Sequence, residues 1–453
     1  MLTLLKSTLL SHLRKNAQKA LLKSQPTIIG IAGSVGKSST RNALESVLKE
    51  QKKTLSVGNS ETGIPLGILG MRPSSYSKKE WLQMAAKASF STDFLKDTEY
   101  LIVEMGIDDP FPPKNMEYLL SILKPHIAIS LNATATHTEQ FEKSLTNREK
   151  ELPDEKKREI IIDKIALEDT KIITQSDCRL GIYNADDPDV SRHIKDKVPS
   201  STVLKTFGDK NTNDISYGQH SVSLDGSVFK LFVKIDDKRE EISLSFKDYV
   251  LPKEYREVFA ATVLVCLDLG ISLPTIISSL EKNYTLPRGR SSLLEGIEKS
   301  SIIDSSYNAS KASVSAFLDL ANTLKKETDR PLVFLFGDMR ELGNESKIEH
   351  EDIAQKIIGV VDHLYLVGPQ TREFILPVVQ QSETSFKEIR WFDNAVRAGE
   401  FMRENLPKNA IVLVKGSQNT IFLEEAVKLI LKNKSDEKLL CRQDDYWMKI
   451  KSS

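Results

Sequence analysis

Lys37 and Ser38, directly behind glycines at 30, 33 and 36, make the grouping with the clearest chemistry in this 453-residue chain. Glycines let a backbone turn tightly and aim successive N–H groups at one point. The run Gly33-Ser34-Val35-Gly36-Lys37-Ser38-Ser39 therefore reads as a grip for the phosphates of a nucleotide. Lys37 brings a positive charge for the β- and γ-phosphates of ATP, and Ser38 a hydroxyl for Mg²⁺. The common Walker spacing would need glycine at 31, where Ile31 stands, so the pattern is Gly-x-x-Gly-x-x-Gly-Lys-Ser. A plain strand-to-helix loop is the alternative, but the apolar run before Gly33 and the helical pattern from Thr40 to Leu48 are the context a phosphate grip requires.

Further polar groups stand where apolar runs end, which is where ligands gather in open α/β sheets. Leu101-Ile102-Val103-Glu104 places a carboxylate at the tip of such a run, and Ile127 to Leu131 leads through Asn132 to His137. With Ser38, Glu104 and His137 form a candidate set of Mg²⁺ ligands. Gly181-Ile182-Tyr183-Asn184 runs into Ala185-Asp186-Asp187-Pro188, whose plainer reading is an Asx turn closed by proline.

The elements that must carry these groups alternate between strand-like apolar runs and helical patterns, the mark of a mainly parallel α/β sheet. Strands are expected at 27–32, 100–104, 126–131, 180–183, 301–304, 331–336, 363–367 and 410–414. Residues 142–164 are rich in Glu, Lys and Arg and read as a solvated helix or mobile excursion. Alternation between 213 and 247 predicts antiparallel strands at a sheet edge, and a helical pattern follows over 254–283. Pro287-Arg288-Gly289-Arg290 breaks that pattern and opens a second series of strands and helices. The expected architecture is a short basic amphipathic helix over 1–25, a central P-loop α/β domain over 26–287 and a C-terminal Rossmann-like α/β domain over 288–453, with ATP in the cleft between the two domains.

Charge is balanced, with 63 basic and 63 acidic residues, so nothing global points to nucleic acid. Three scattered cysteines and no secretory signal suit neither disulfides nor a zinc site, and a reducing cytoplasm is expected. No apolar run is long enough to span a membrane. Leu2, Leu5, Leu9 and Leu13 recur at helical spacing among Lys6, Arg14, Lys15 and Lys19, so residues 1–23 either touch an anionic lipid surface weakly or dock their leucine face on the protein body. The chain is expected to act as a monomer.

Nine segments, in order, resemble the Mur ligase superfamily, the ATP-dependent amide ligases of peptidoglycan precursor synthesis. They are the loop at 30–39, Asn59-Ser60-Glu61-Thr62-Gly63-Ile64-Pro65-Leu66, Glu104-Met105-Gly106, Asn132 to His137, Asn184 to Pro188, Gly289-Arg290, Asp304-Ser305-Ser306-Tyr307-Asn308-Ala309, Gly337-Asp338-Met339-Arg340-Glu341-Leu342-Gly343 and Val414-Lys415-Gly416-Ser417. The Ser-Tyr-Asn-Ala and Gly-Asp-Met-x-Glu-Leu-Gly strings are similar to the branch that adds D-alanyl-D-alanine to a muramoyl tripeptide. That resemblance implies a carboxylate activated by ATP as an acyl phosphate and then attacked by an amine. Lys37 would steady the transferred phosphoryl group, Ser38, Glu104 and His137 would hold Mg²⁺, and Asn184, Arg290, Asp304, Tyr307 and Asn308 would contact the nucleotide. Asn59, Glu61 and Thr62 on one side, and Asp338, Glu341, Lys415 and Ser417 on the other, would meet the substrates.

Four departures are visible. Few residues precede the loop, where relatives carry a domain that grips the UDP end. Asp169 stands at the place of a carbamylated lysine, unless Lys164 or Lys171 takes that place. Lys253-Glu254-Tyr255-Arg256-Glu257 replaces a His-Asn helix start, and Ser310-Lys311 and Gln418 replace an Asn-Pro and an Arg. The alternatives are therefore a ligase of the same chemistry on another acid and amine, or an ATP-binding scaffold without turnover.

Overall fold

A computed structural model describes residues 2–451 except 74–76, 136–137, 196, 237, 248, 341, 384–385 and 418–419. It divides into two compact units, one of residues 1–218, 230–243 and 256–285, the other of 219–229, 244–255 and 286–453.

The first unit is built on the strands β1 (Thr27–Ala32), β2 (Thr54–Val57), β3 (Tyr100–Glu104), β4 (Ile127–Ser130), β5 (Leu180–Asn184) and β6 (Val203–Gly208). They lie in the order β2-β3-β1-β4-β5-β6, every pair parallel. β1, β3 and β4 bury almost every residue, as strands covered on both faces must, and this makes them readable as unbroken apolar runs. β7 (Ile215–Ser223), β8 (Gly226–Ile235) and β9 (Lys238–Phe246) continue the sheet in that order. Two residues join β7 to β8, a connection that only antiparallel neighbours can make.

Residues 142–164 follow the helical of their two readings: after Glu142, the end of the helix Thr138–Glu142, come Asn147–Lys150, closed by a Thr146/Glu149 capping box, and the start of Asp154–Thr174. The helical stretch 254–283 divides into Tyr255–Asp268 and Leu273–Asn283, with Gly270 at a φ of 80° between them and Ser272 capping the second.

Residues Leu2–Ser24 form one helix that buries Leu10, Leu13, Ala17 and Ala20 in the core of the first unit. Arg14 Nη1 donates to Ser121 Oγ at 2.9 Å and Gln18 Nε2 to the Ser121 carbonyl at 2.8 Å. The docking expected of this helix is therefore seen at these four side chains. Leu10, Leu13, Ala17 and Ala20 complete the protein's own core, with Leu9 packed partly against it.

The second unit contains β10 (Ser292–Glu295), β11 (Ser301–Ser305), β12 (Leu332–Gly337), β13 (His363–Val367), β14 (Glu388–Phe392) and β15 (Ile411–Lys415) in the order β10-β11-β15-β12-β13-β14. Only β10 runs antiparallel. The last strand, β15, is inserted between β11 and β12, so the ends of these three form a point where strand order reverses. Among the described residues no helix is long and apolar enough to cross a membrane.

Candidate active site

In the first unit the chemistry gathers where β1 gives way to the helix Lys37–Gln51. Gly33 and Gly36 take φ values of 131° and 95°, a region costly for residues with a Cβ, and this sets the turn. The helix begins on Gly36 with no capping side chain, which leaves its first-turn N–H groups and positive dipole end for an anion. Lys37 folds back so that its Nζ donates to the Gly33 carbonyl and, at 3.4 Å, to that of Ser34. Those carbonyls hold the ammonium over the loop, where phosphate oxygens would compete for it.

Glu104 is 3 % exposed at the end of β3. Ser38 Oγ donates to its Oε2 at 2.9 Å, and Arg41 Nη1 lies 2.6 Å from its Oε1. Hydroxyl and carboxylate oxygens side by side at a phosphate loop are donors that suit Mg²⁺, which prefers one or two carboxylates completed by water and phosphate oxygens. His137, the third expected ligand, lies outside the described residues. Arg41 was not anticipated as a partner of Glu104. Its place one helical turn beyond Lys37 was the available signal.

Asn132 also does more than its motif implied. Its Oδ1 accepts from Val35 N at 3.0 Å, while its Nδ2 donates to Val35 O at 3.2 Å and to Glu257 Oε2 at 3.0 Å. Ser34 N donates to Asn132 O at 2.8 Å, so the phosphate loop is clamped to the end of β4. Glu257, at the replaced helix start, acts through this clamp.

Asp169 is 1 % exposed, and burial pushes its carboxyl up to about 7 against the Lys37 ammonium and the Gly33 N–H. Its Oδ1 has no hydrogen-bond partner among the described residues. Lys164 is engaged with Ser144 O and Glu149, and Lys171 with Glu168, so of the three it is Asp169 that feels the phosphate loop. Asn184, buried at the end of β5, accepts from Asp186 N at 2.9 Å, and Asp187 caps the helix Pro188–Ile194 while accepting from Ala133 N at 2.8 Å. The Asx turn is therefore real, and it ties β5 to the loop after β4. The carbonyl of Asn59 accepts from Gly106 N at 3.2 Å, while Glu61 is 8 % exposed, with Lys6 at 4.0 Å. Thr62 opens the helix Gly63–Ile68.

In the second unit the ends of β11, β12 and β15 converge. Lys415 is 4 % exposed, its Nζ donating to Asn308 O at 3.0 Å and to Ser305 Oγ at 3.3 Å. Burial lowers it to about 7, with Arg290 adding to the shift and Asp304 opposing it. Asp304 accepts from Ser306 N at 3.0 Å through Oδ1, has no partner for Oδ2 among the described residues, and is raised by burial to about 6. The Arg290 guanidinium lies 4.9 Å from the Tyr307 ring centroid. Ser417 Oγ accepts from Arg340 N at 2.9 Å and donates to Ala309 O, joining the β12 and β15 loops to the segment after β11. Asp338 accepts from Thr371 N at 2.9 Å beside a cavity of about 520 Å³ that Arg340, Ser346, Gln370, Asp393 and Thr420 also line. Glu341 lies outside the described residues.

A buried pair holds this loop from behind. Arg442 donates to Glu424 Oε1 at 2.8 Å and Oε2 at 2.7 Å, and to the carbonyls of Ser306 and Tyr307. No local pattern announces it, because the partners are far apart in sequence.

Comparison with known proteins places this geometry. Residues 31–247 match the Mur ligase middle domain and residues 289–418 the Mur ligase glutamate ligase domain. The UDP-N-acetylmuramoyl-tripeptide–D-alanyl-D-alanine ligase of Rickettsia prowazekii is 25% identical over 90% of this chain and 78% of its own length. The enzyme of the same name from Bacillus subtilis is 23% identical over 94% and 80%. Among solved structures, the MurF ligase of Thermotoga maritima in complex with ADP superposes with a TM-score of 0.69, covering 94% of this chain and 84% of that one at 20% identity.

Proposed function

Because the chain belongs to the Mur ligase family, we propose that it is an ATP-dependent carbon–nitrogen ligase of peptidoglycan precursor synthesis that joins D-alanyl-D-alanine to the free carboxylate of a muramoyl tripeptide. The observation that supports this most is the Ser38–Glu104 pair beside Lys37, at the mouth of an uncapped helix. ATP fits the open first-turn N–H groups, and Mg²⁺ fits the paired oxygens of Ser38 and Glu104, with His137 as the proposed third ligand. When bound, the ion would offset charge on the phosphates as a carboxylate oxygen displaces ADP.

Lys37 would exchange its loop carbonyls for the transferred phosphoryl group. Arg41 holds Glu104 in place and adds positive charge to the same corner. Asn132 keeps Val35 and Ser34 in the shape the grip needs. Asn59, Glu61 and Thr62 are proposed to meet the acid substrate. In the second unit, Arg290, Asp304, Tyr307 and Asn308 are proposed nucleotide contacts, and the cavity at Asp338, with Lys415 and Ser417 behind it, the place of the incoming amine.

Phosphate release should require both the UDP-muramoyl tripeptide and D-alanyl-D-alanine, with the amide product seen by mass. Release with another amine, such as glutamate, and none with the dipeptide would transfer the same chemistry to a different pair. ATP binding with no turnover on any pair would leave a scaffold.

A further inference from the structure

The helix Lys78–Ala88 is apolar on two sides. Met84 and Ala88 face the core, as a surface helix requires, yet Leu82, Ala86 and Phe90 repeat at every fourth position on the side that faces solvent. Leu82 is 73% exposed and Phe90 is 88% exposed. Among the described residues of the first unit, Leu82 and Phe90 are left largely uncovered.

The stripe continues onto neighbouring elements. His12 Nε2 lies 3.0 Å from Ala85 O, and Lys23 Nζ donates to Thr92 Oγ1 at 3.0 Å and lies 2.9 Å from Asp93 Oδ1. These bonds hold the N-terminal helix alongside Lys78–Ala88 and the turns that follow it. They also bring Leu22, 74% exposed, next to the segment that carries Phe94, 49% exposed. Scattered single apolar residues need no explanation, but four large ones on adjoining elements form a patch.

The charge around the patch is mainly basic, with Glu80, Asp93 and Asp97 as the acidic residues of its second helix and the turns after it. The helix Leu2–Ser24 contains no carboxylate, and its Lys15 and Lys19 are exposed, as are Lys79 and Lys87 on the other helix. Asp93 already faces Lys23. In a chain whose total charge is zero, this is a local basic surface with aromatic and leucine tips standing out of it. Apolar side chains to enter the acyl boundary and lysines to meet anionic headgroups are what peripheral binding to a bilayer needs.

We propose that this face, formed by the N-terminal helix together with Lys78–Ala88 and Phe90–Phe94, binds an anionic lipid surface. The occupant is a membrane and not a second protein because basic residues outnumber acidic ones across this face, with five on the helix Leu2–Ser24 and no carboxylate there, which suits a negative plane. The buried leucine face of the first helix has no part in it. The binding needs no ligand in the active site, so it stands apart from the proposed reaction.

The test is co-sedimentation of the full chain with vesicles of phosphatidylcholine alone or mixed with phosphatidylglycerol, at low and high salt. The wild-type protein should pellet with the mixed vesicles and much less with phosphatidylcholine alone, and salt should weaken binding. Leu82→Asp/Phe90→Asp and Lys15→Glu/Lys19→Glu should each lower partitioning by roughly tenfold or more while leaving ATP turnover and the unfolding midpoint unchanged. A wild-type protein that stays in the supernatant with anionic vesicles overturns the proposal, as does undiminished binding by both variants. Self-association of the wild type that the Leu82→Asp/Phe90→Asp variant abolishes, without vesicle binding, would make the face a protein interface instead.

Discussion

Lys37 is the residue on which the chemistry turns, and among the described residues its side chain hydrogen-bonds to carbonyls of its own loop, with the buried Asp169 carboxyl close enough to interact with its charge. Lys37→Ala should therefore cost turnover on the order of a hundredfold or more, while urea unfolding shifts by no more than about 1 kcal/mol. Steady-state kinetics beside an unfolding curve separates the two effects. A variant with near-normal turnover would remove Lys37 from the reaction. Asp169 makes a prediction about pH. Its carboxyl is raised from 3.8 to about 7, so the folded state keeps a proton that the unfolded chain has lost. The stability this gives is fully present below about pH 4 and is lost as pH rises to about 7. Asp169→Asn should remove that part of the slope when unfolding is measured at pH 5 and pH 8; an unchanged slope would contradict the burial argument. Lys37, Ser38 and Glu104 were legible in the sequence because glycine spacing and strand ends are local signals. Arg41 and Asn132 were not assigned their contacts, since each depends on which strand neighbours which.

At the scale of elements, the almost completely buried strands β1, β3, β4, β12, β13 and β15 were readable as apolar runs. β2, β6, β10 and β14 were missed because each is largely half-exposed or exposed, so no run or clean alternation marks it. The charged stretch after 142 was undecided between helix and excursion for a related reason: Asp154–Thr174 buries its apolar face mainly beyond Ile161, past the charges. The first helix is an integral part of the first unit. Leu13 is completely buried, and Leu13→Ala should cost about 2–4 kcal/mol in urea unfolding. A cost below about 1 kcal/mol would mean that the helix is not docked as described. In the second unit, Arg442→Ala should cost about 3–5 kcal/mol, since it strips Glu424 of a bidentate partner in a fully buried pair. Lys451, 2.8 Å from Glu424, would moderate that loss. A neutral outcome would show that the pair does not brace the Ser306–Tyr307 carbonyls.

At the scale of the whole molecule, membership in the Mur ligase family rests on ordered motifs that only distant parts of the chain supply together. The central claim is that a carboxylate is activated by phosphorylation and then captured by D-alanyl-D-alanine. The most direct measurement supplies UDP-muramoyl tripeptide labelled with ¹⁸O in its terminal carboxylate, together with ATP, Mg²⁺ and the dipeptide, and weighs both products. Amide formation through an acyl phosphate leaves one carboxylate oxygen on the departing phosphate. The account predicts pentapeptide product and phosphate carrying a single ¹⁸O. Unlabelled phosphate without pentapeptide, the mark of simple ATP hydrolysis by water, would contradict it.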